Sequence, residues 1–397
     1  MAQHSNLIGG STCARRMACP GSYRLELKAP AEAESSYAKE GTFLHHVIEK
    51  CLNDDVAPQE LVGYEHEEHK GFTLTQDLID EQVKPALTCV QTLLEEIGAD
   101  EFELITEAEV GYPGIEDSEG DGVFGTTDLL IVTDDTVVVG DFKFGRGVMV
   151  QGGLSNKQLK FYAGACMRSP KTAHYFEDRD TIVLAIIQPA NPLPLQIVAT
   201  TQDYISAFAD EVETLAHRLL EEDDLPLKTG DHCRFCNAAV ICPSKREQAQ
   251  ITLTMDTSDP FIDPVEFGQL LKMADEVEGW AKSLRSTAYN ELKKGRPVAG
   301  YKLVEKRRTR SWVNEGEAAD RLRALGINDP YDRKLVSPSQ AEKSVKAAGG
   351  KPADLADIIE ARSPGLTMAA ADDRRPAVEI SHDEASLAAL KLPETGV

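Results

Sequence analysis

Thr126-Thr-Asp-Leu-Leu-Ile-Val-Thr-Asp-Asp-Thr-Val-Val-Val-Gly-Asp-Phe-Lys143 decides the fold: two runs rich in β-branched residues flank Asp134-Asp135, the pattern of strand, tight turn, strand. With the two aspartates as the turn, Thr133 pairs with Thr136, and counting outward sets Asp128 directly opposite Asp141. Leu130, Val132, Val137 and Val139 share their face, while Leu129, Ile131 and Val138 occupy the other, so both strands read as buried on two sides. Facing carboxylates repel. Lys143, two residues beyond Asp141 and on the same face by the strand's period of two, supplies one fixed positive charge. A divalent metal ion would supply the rest, which outlines a hydrolytic metal site. The plainer alternative makes Asp128 a strand-entry residue and Asp141 a solvated strand end.

Outward from this hairpin, Phe102 to Val110 alternates as a strand, and Tyr112 to Gly122 reads as an acidic turn region. Upstream, helical spacing of Phe43, Leu44, Val47, Ile48 and Cys51 predicts a helix over 36–52, with a second over 75–97 and a loop over 9–28. Downstream come a helix over 156–167, strands over 181–188 and 195–200, and an amphipathic helix over 203–222. The fold class is therefore α/β, with a core of helix, three-strand meander, helix and strand around a small sheet.

At 397 residues the chain is long enough for two domains. We read 1–250 as the domain carrying the hairpin, 251–371 as a mainly helical extension, and 372–397 as an acidic tail. In the extension, Phe267, Leu270, Leu271, Ala274, Val277, Trp280, Ala281, Leu284, Ala288 and Leu292 form one stripe of a long helix over 264–294 that needs a partner surface. The absence of an apolar run of spanning length, and of a basic leader running into an apolar stretch, implies no membrane partner and a cytoplasmic location. A net charge of −24 argues against phosphate binding by the surface as a whole. A local exception is Tyr301 to Trp312, where Lys302, Lys306, Arg307, Arg308 and Arg310 could neutralise phosphates while Trp312 or Tyr301 stacks on an unpaired base. The same residues could instead keep an edge strand soluble.

Two helical pairs add to the hairpin. Gln158 and Tyr162 stand one turn apart and point toward the end of the sheet that carries Lys143, where they could orient water or hold a phosphate; a polar helix face explains them equally. His45 and Glu49 have the i,i+4 spacing that permits joint metal coordination. Taken in order, Gly41 with His45, Gly125-Thr-Thr-Asp128, Asp141-Phe-Lys143, and Gln158 with Tyr162 resemble the RecB-like branch of the PD-(D/E)XK nucleases, whose core is restriction-endonuclease-like. The resemblance implies His45, Asp128 and Asp141 as ligands of Mg²⁺ or Mn²⁺, Lys143 as the lysine that positions the attacking water, and Gln158 and Tyr162 as its support. Glu107 or Glu109 would be an outer ligand.

The eight cysteines give a second signal, because Cys233, Cys236 and Cys242 form C-x2-C-x5-C and require a fourth ligand to complete a metal site. Cys19 is the best candidate, with Cys13 competing for the place; Cys51, Cys89 and Cys166 read as buried small hydrophobes. One upstream and three downstream cysteines resemble the [4Fe–4S] staple of the iron–sulfur members of the same nuclease branch, with a Zn²⁺ site as the rival. Gly300 to Glu305 and Arg310-Ser-Trp312 resemble the C-terminal part of a phage and prophage family of formerly unknown function that carries this core. Together these imply a metal-dependent exonuclease hydrolysing phosphodiester bonds at DNA ends in phage recombination or replication. Its partners would be DNA and a phage single-strand annealing or recombination protein, with a homo-oligomer as a further expectation. The competing classes are a non-catalytic DNA-end-binding or assembly protein and a zinc-dependent interaction module.

Overall fold

The structure, a computed structural model, describes residues 5–29, 36–67, 69, 71–117, 120–144, 149–254 and 263–304, with 316, 317, 320, 341 and 345 beyond them. Along the chain run α1 (Gly10–Ala18), α2 (Ser22–Glu26), α3 (Ser36–Asn53), α4 (Gln76–Leu78), α5 (Lys84–Glu96), β1 (Glu103–Glu116), β2 (Gly122–Val132), β3 (Thr136–Phe142), α6 (Lys157–Arg168), β4 (Thr181–Ile187), β5 (Leu195–Thr201), α7 (Gln202–Glu221), α8 (Pro243–Thr254) and α9 (Pro264–Lys293). A π-helical turn, Ile79–Val83, joins α4 to α5 just before Pro85, which has no N–H to donate to the preceding turn.

The five strands lie in chain order in one sheet. β1, β2 and β3 are antiparallel neighbours, β3 and β4 are parallel, and β5 returns antiparallel to β4. The parallel step exists because α6 carries the chain back across one face before β4 begins. The hairpin register is the expected one: Leu129 pairs with Gly140, Leu130 with Val139, Ile131 with Val138 and Val132 with Val137. Thr133 N donates to Thr136 O at 2.9 Å, closing the turn on Asp134-Asp135.

Two hydrophobic layers cover the sheet, divided as the alternation of β2 and β3 requires. Leu130, Val132, Val137 and Val139 pack with Leu159 and Phe161 of α6 and Ile205 and Phe208 of α7. On the other side Leu129, Ile131, Val138 and Phe142 meet Phe43, Leu44, Val47 and Ile48 of α3 and Val90 and Leu93 of α5. At ~1.5–3 kcal/mol for each large apolar side chain removed from water, these layers are what make it tolerable to hold acids at the sheet's end.

Several expectations change. Residues 9–28 are not loop but α1 and α2; the Gly9-Gly10 and Pro20-Gly21 pairs lie at the helix starts, and Thr12 Oγ1 accepts from Gly9 N at 2.9 Å to close the first turn. β1 runs on to Glu116, so the acidic turn is shorter than the sequence pattern suggested. Helix α9 forms as expected, and its apolar stripe is only partly covered: most of its residues are half-buried, none is fully buried, and Phe267 is 51% exposed.

The chain divides into two units, residues 1–304 and 305–397. A buried Lys245 Nζ to Glu276 Oε2 contact of 3.0 Å joins α8 to α9 within the first unit. Tyr301 and Lys302 are exposed at its end, where Val298 bridges to Tyr301. Lys306, Arg307, Arg308, Arg310, Trp312 and the 372–397 tail lie outside the described residues. Among the described residues no helix is long and apolar enough to cross a membrane.

Candidate active site

Asp128 and Asp141 sit where the hairpin register puts them, at adjacent positions on β2 and β3, 9% and 2% exposed. Asp128 Oδ2 accepts from the Phe142 amide at 2.7 Å, a backbone donor that the strand pairing delivers. Lys143 follows β3 and is held by its own N–H, which donates to Ile187 O at 2.8 Å. Its Nζ lies 2.7 Å from Asp141 Oδ2 and 3.0 Å from Oδ1. Gln158 Nε2 donates to Asp141 Oδ1 at 3.1 Å and lies 3.4 Å from Tyr162 Oη, so the helix pair reaches the site as its one-turn spacing required. Asn156 caps α6 by accepting from Leu159 N at 3.0 Å, which sets where that helix begins and hence where Gln158 points.

Tyr162 is clamped between α1 and β2. A Cβ built on Gly10 would lie 2.4 Å from Tyr162 Cζ, so only glycine lets the first turn of α1 close over the ring.

His45 reaches the same acids from α3, with Nδ1 3.4 Å from Asp128 Oδ1 and 3.6 Å from Glu107 Oε1. Edge contacts with the rings of Phe142 and Phe144 fix its plane. Glu49 does not join it: that carboxylate lies 3.4 Å from His46 Nδ1 instead, so the expected His45–Glu49 pair is not formed. Of the two candidate glutamates, Glu107 lies beside His45 and Asp128, and Glu109 pairs with Lys171 on the surface at 2.9 Å. Thr106 pairs with Leu129 and Ala108 with Thr127, which places Glu107 opposite Asp128. Glu107 has φ +48°, a left-handed conformation that costs a non-glycine residue ~1–2 kcal/mol. Strain of this kind concentrates at functional sites.

Charge explains the protonation of the group. Burial pushes Asp141 up to about 6, with repulsion from Asp128 adding to it and Lys143 opposing it. Burial would raise Asp128 too, but His45, Lys143 and the Phe142 amide outweigh it and hold that carboxyl below its ordinary value. Burial disfavours the charged form of His45, yet Asp128 and Glu107 overcome this and lift it to about 10. Lys143 is likewise raised by Asp141 and Asp128 against the cost of burial. The chain thus neutralises its acids with one lysine and one imidazolium.

The chemistry of the donor set fits a divalent ion. His45, Glu107 and Asp128 each offer one atom, all within 4.8 Å of one another. Buried Asp141 Oδ2 is ion-paired with the Lys143 ammonium at 2.7 Å but outside hydrogen-bond geometry, which leaves it a lone pair to offer.

A second convergence lies at the other end of α1. Cys19 at the C-cap of α1, Cys233 and Cys236 of the loop after α7, and Cys242 just before α8 line one pocket, together with Lys228, His232 and Lys245. Cys13 is not there: it is buried in the core with Sγ 3.9 Å from Met17 Sδ. Cys51, Cys89 and Cys166 are buried as expected. Burial raises the Cys233 thiol and pushes Cys236, beside Glu26, up to about 12. A metal that binds thiolate would reverse that cost.

Sequence reasoning missed what holds this loop. Glu26 Oε2 takes the Arg16 guanidinium at 2.6 Å, and its Oε1 lies 3.1 Å from Arg15 Nε and accepts from Asn237 N at 3.0 Å. Arg15 Nη1 also donates to Phe235 O at 2.8 Å. The signal available was Arg15-Arg16 and Glu26 on short helices beside Cys19, but nothing local says that the two arginines are buried.

The chain belongs to the family described as "protein of unknown function (DUF2800)", whose match spans residues 4–376. Among solved structures it is similar to the crystal structure of SSO0001, with 17% identity, 52% of this chain and 98% of that one covered, and a TM-score of 0.24. It is also similar to an alkaline exonuclease, LHK-Exo, from Laribacter hongkongensis, with 11% identity, 54% and 92% covered, and a TM-score of 0.22. Likenesses this weak leave the reading of the site to its own geometry.

Proposed function

We infer that the protein is a divalent-metal-dependent deoxyribonuclease that acts at DNA ends, in the setting of phage recombination or replication. One observation carries the reading: acids from three neighbouring strands, Glu107, Asp128 and Asp141, meet a lysine, a histidine and a glutamine at one buried end of the sheet. His45, Glu107, Asp128 and Asp141 are the residues that would hold Mg²⁺ or Mn²⁺. A bound divalent ion supplies Lewis acidity to a phosphodiester and a lower pKa to its water. Lys143 positions the attacking water, and Gln158, with Tyr162 behind it, fixes the Asp141 carboxylate that Lys143 contacts. Lys302 and the basic residues that follow it, with Trp312, are assigned to the DNA backbone and an unpaired base. Purified protein with Mn²⁺ or Mg²⁺ should degrade linear DNA and spare covalently closed circles. Absence of any cleavage of linear DNA by folded protein would reject the reading; equal cleavage of circles would reject the preference for ends.

Metal binding should depend on pH in a stated direction. Because His45 holds its proton up to about 10, an ion taking that nitrogen must displace it below that pH. Mn²⁺ affinity should therefore rise by up to about tenfold per pH unit between pH 7 and 9, with one proton released per ion. Calorimetry in buffers of different ionisation enthalpy reads the proton count, and His45→Gln should flatten the dependence.

The four cysteines around one pocket support a [4Fe–4S] cluster as a structural staple between α1 and the loop before α8. Protein prepared without oxygen should be brown and carry about four iron atoms per chain, and Cys19→Ser should lose them while Cys13→Ser keeps them. Stoichiometric zinc in a colourless anaerobic preparation would replace this with the zinc reading.

A further inference from the structure

We propose that His46, His66 and His69 form a second metal site, of the zinc type, separate from the acids that His45 serves. The three residues each offer a ring nitrogen, and these atoms lie within 4.8 Å of one another. His46 and His66 stack with centroids 4.3 Å apart and planes 4° from parallel, and His69 lies 5.0 Å from the first ring and 5.2 Å from the second. Three imidazoles this close gain little from each other as neutral rings and repel when two carry charge. A shared cation would engage one nitrogen of each ring at once.

The placement is built, not incidental. Glu65 is bridged to Thr73, with Leu74 N donating to Tyr64 O and Gly63 N to Leu74 O, both at 2.9 Å, which closes the loop that carries His66 and His69. Phe43 of α3 stacks on Tyr64 and on Phe72, which holds both arms of that loop against the helix. Inside the loop His69 N donates to His66 O at 3.0 Å, so the two imidazoles leave one turn and meet His46 from α3. The successive residues His45 and His46 thus serve different groups: the first reaches Asp128 and Glu107, the second the loop histidines.

The ligand chemistry selects the ion. Nitrogen donors suit zinc, whereas Mg²⁺ and Ca²⁺ prefer all-oxygen sites. Zinc bonds imidazole nitrogen at ~2.0–2.1 Å in the ring plane, so binding would turn His46 and His66 out of their parallel stack and draw the three nitrogens together. Glu49, 3.4 Å from His46 Nδ1 and one turn along α3, is placed to take the fourth position or to orient His46 from behind. Glu65 and Glu67 flank His66 in the sequence and add negative charge. The site would pin the loop to α3, the helix that also carries His45.

The probe is Zn²⁺ alone, added to the full chain with its cysteine site left as purified. Titration against a chromophoric chelator should show one ion per chain that His66→Gln and His69→Gln lose or bind on the order of tenfold or more weakly. Asp128→Asn should retain that ion, which keeps the result independent of the nuclease reading. In the unsubstituted chain, saturating Zn²⁺ should protect His46, His66 and His69 together from diethyl pyrocarbonate, with exposed His217 of α7 as the unprotected control. Unchanged Zn²⁺ binding in both folded variants, or no joint protection in the unsubstituted chain, overturns the proposal.

Discussion

Asp141→Asn should lower DNA cleavage by at least the ~10²–10³-fold typical of removing one electrostatic group from an active site, and at the same time leave the metal-free protein as stable or more so. The opposite signs follow from one fact. Asp141 is buried opposite another carboxylate, and its pKa of about 6 lies above that of a free aspartate. A carboxyl whose folded pKa is raised costs stability once it ionises, a penalty that begins as pH passes the unfolded value and is complete above the folded one. At pH 7 the native chain carries that penalty and the amide does not. Lys143→Ala should lose cleavage comparably but move stability the other way, because it strips the two acids of the ammonium 2.7 Å from Asp141. Thermal melting at pH 7 beside a linear-DNA assay separates the cases: a merely structural Asp141 would lose stability and activity together.

Glu26→Ala should have the largest effect on the fold itself. Removing one partner of a buried ion pair strands the other, at a cost of ~3–5 kcal/mol. Here the stranded group is Arg16, only 2% exposed, whose guanidinium otherwise donates to Glu26, Ser22 Oγ, Leu7 O and Asn6 O. Burial already lowers its pKa, and Glu26 is the first group that opposes this. Asn237 N would lose its acceptor as well, loosening the loop between Cys236 and Cys242. Urea unfolding should show the loss as a lower midpoint, and iron retention should fall with it. A shift of less than about 1 kcal/mol would mean that the arginines find other partners, leaving Glu26 no role in joining α1 and α2 to the cysteine loop.

Tyr162, which meets Gln158 on α6 beside the acids, packs against that same α1. The helix closes over Tyr162 at Gly10 and ends at Cys19, so one nine-residue segment contacts the side chain beside Asp141 and begins the cysteine pocket. Loss of the proposed cluster is therefore expected to reach the acid site by way of Tyr162.

Asp128, Asp141, Lys143 and the Gln158–Tyr162 pair were legible before any coordinates because each depends on local periodicity: period two along β2 and β3, one turn along α6. The two-residue turn at Asp134-Asp135 sets the register, and the register sets which carboxylates face each other. Glu107 was only half legible, since choosing it over Glu109 requires the pairing of β1 with β2 and a left-handed residue within that strand. His45 was legible as a donor but not its partners: Glu49 shares its helix, whereas Asp128 and Glu107 arrive from the sheet. The pairing of Glu26 with Arg16 is long in range for its short helices, and the choice of Cys19 over Cys13 rests on which end of α1 faces the loop after α7. Alternation and turn chemistry act between neighbours and can be counted along a chain. Burial of an arginine, convergence of cysteines more than two hundred residues apart, and the partial covering of the α9 stripe depend on how distant segments pack, and only the tertiary structure decided them.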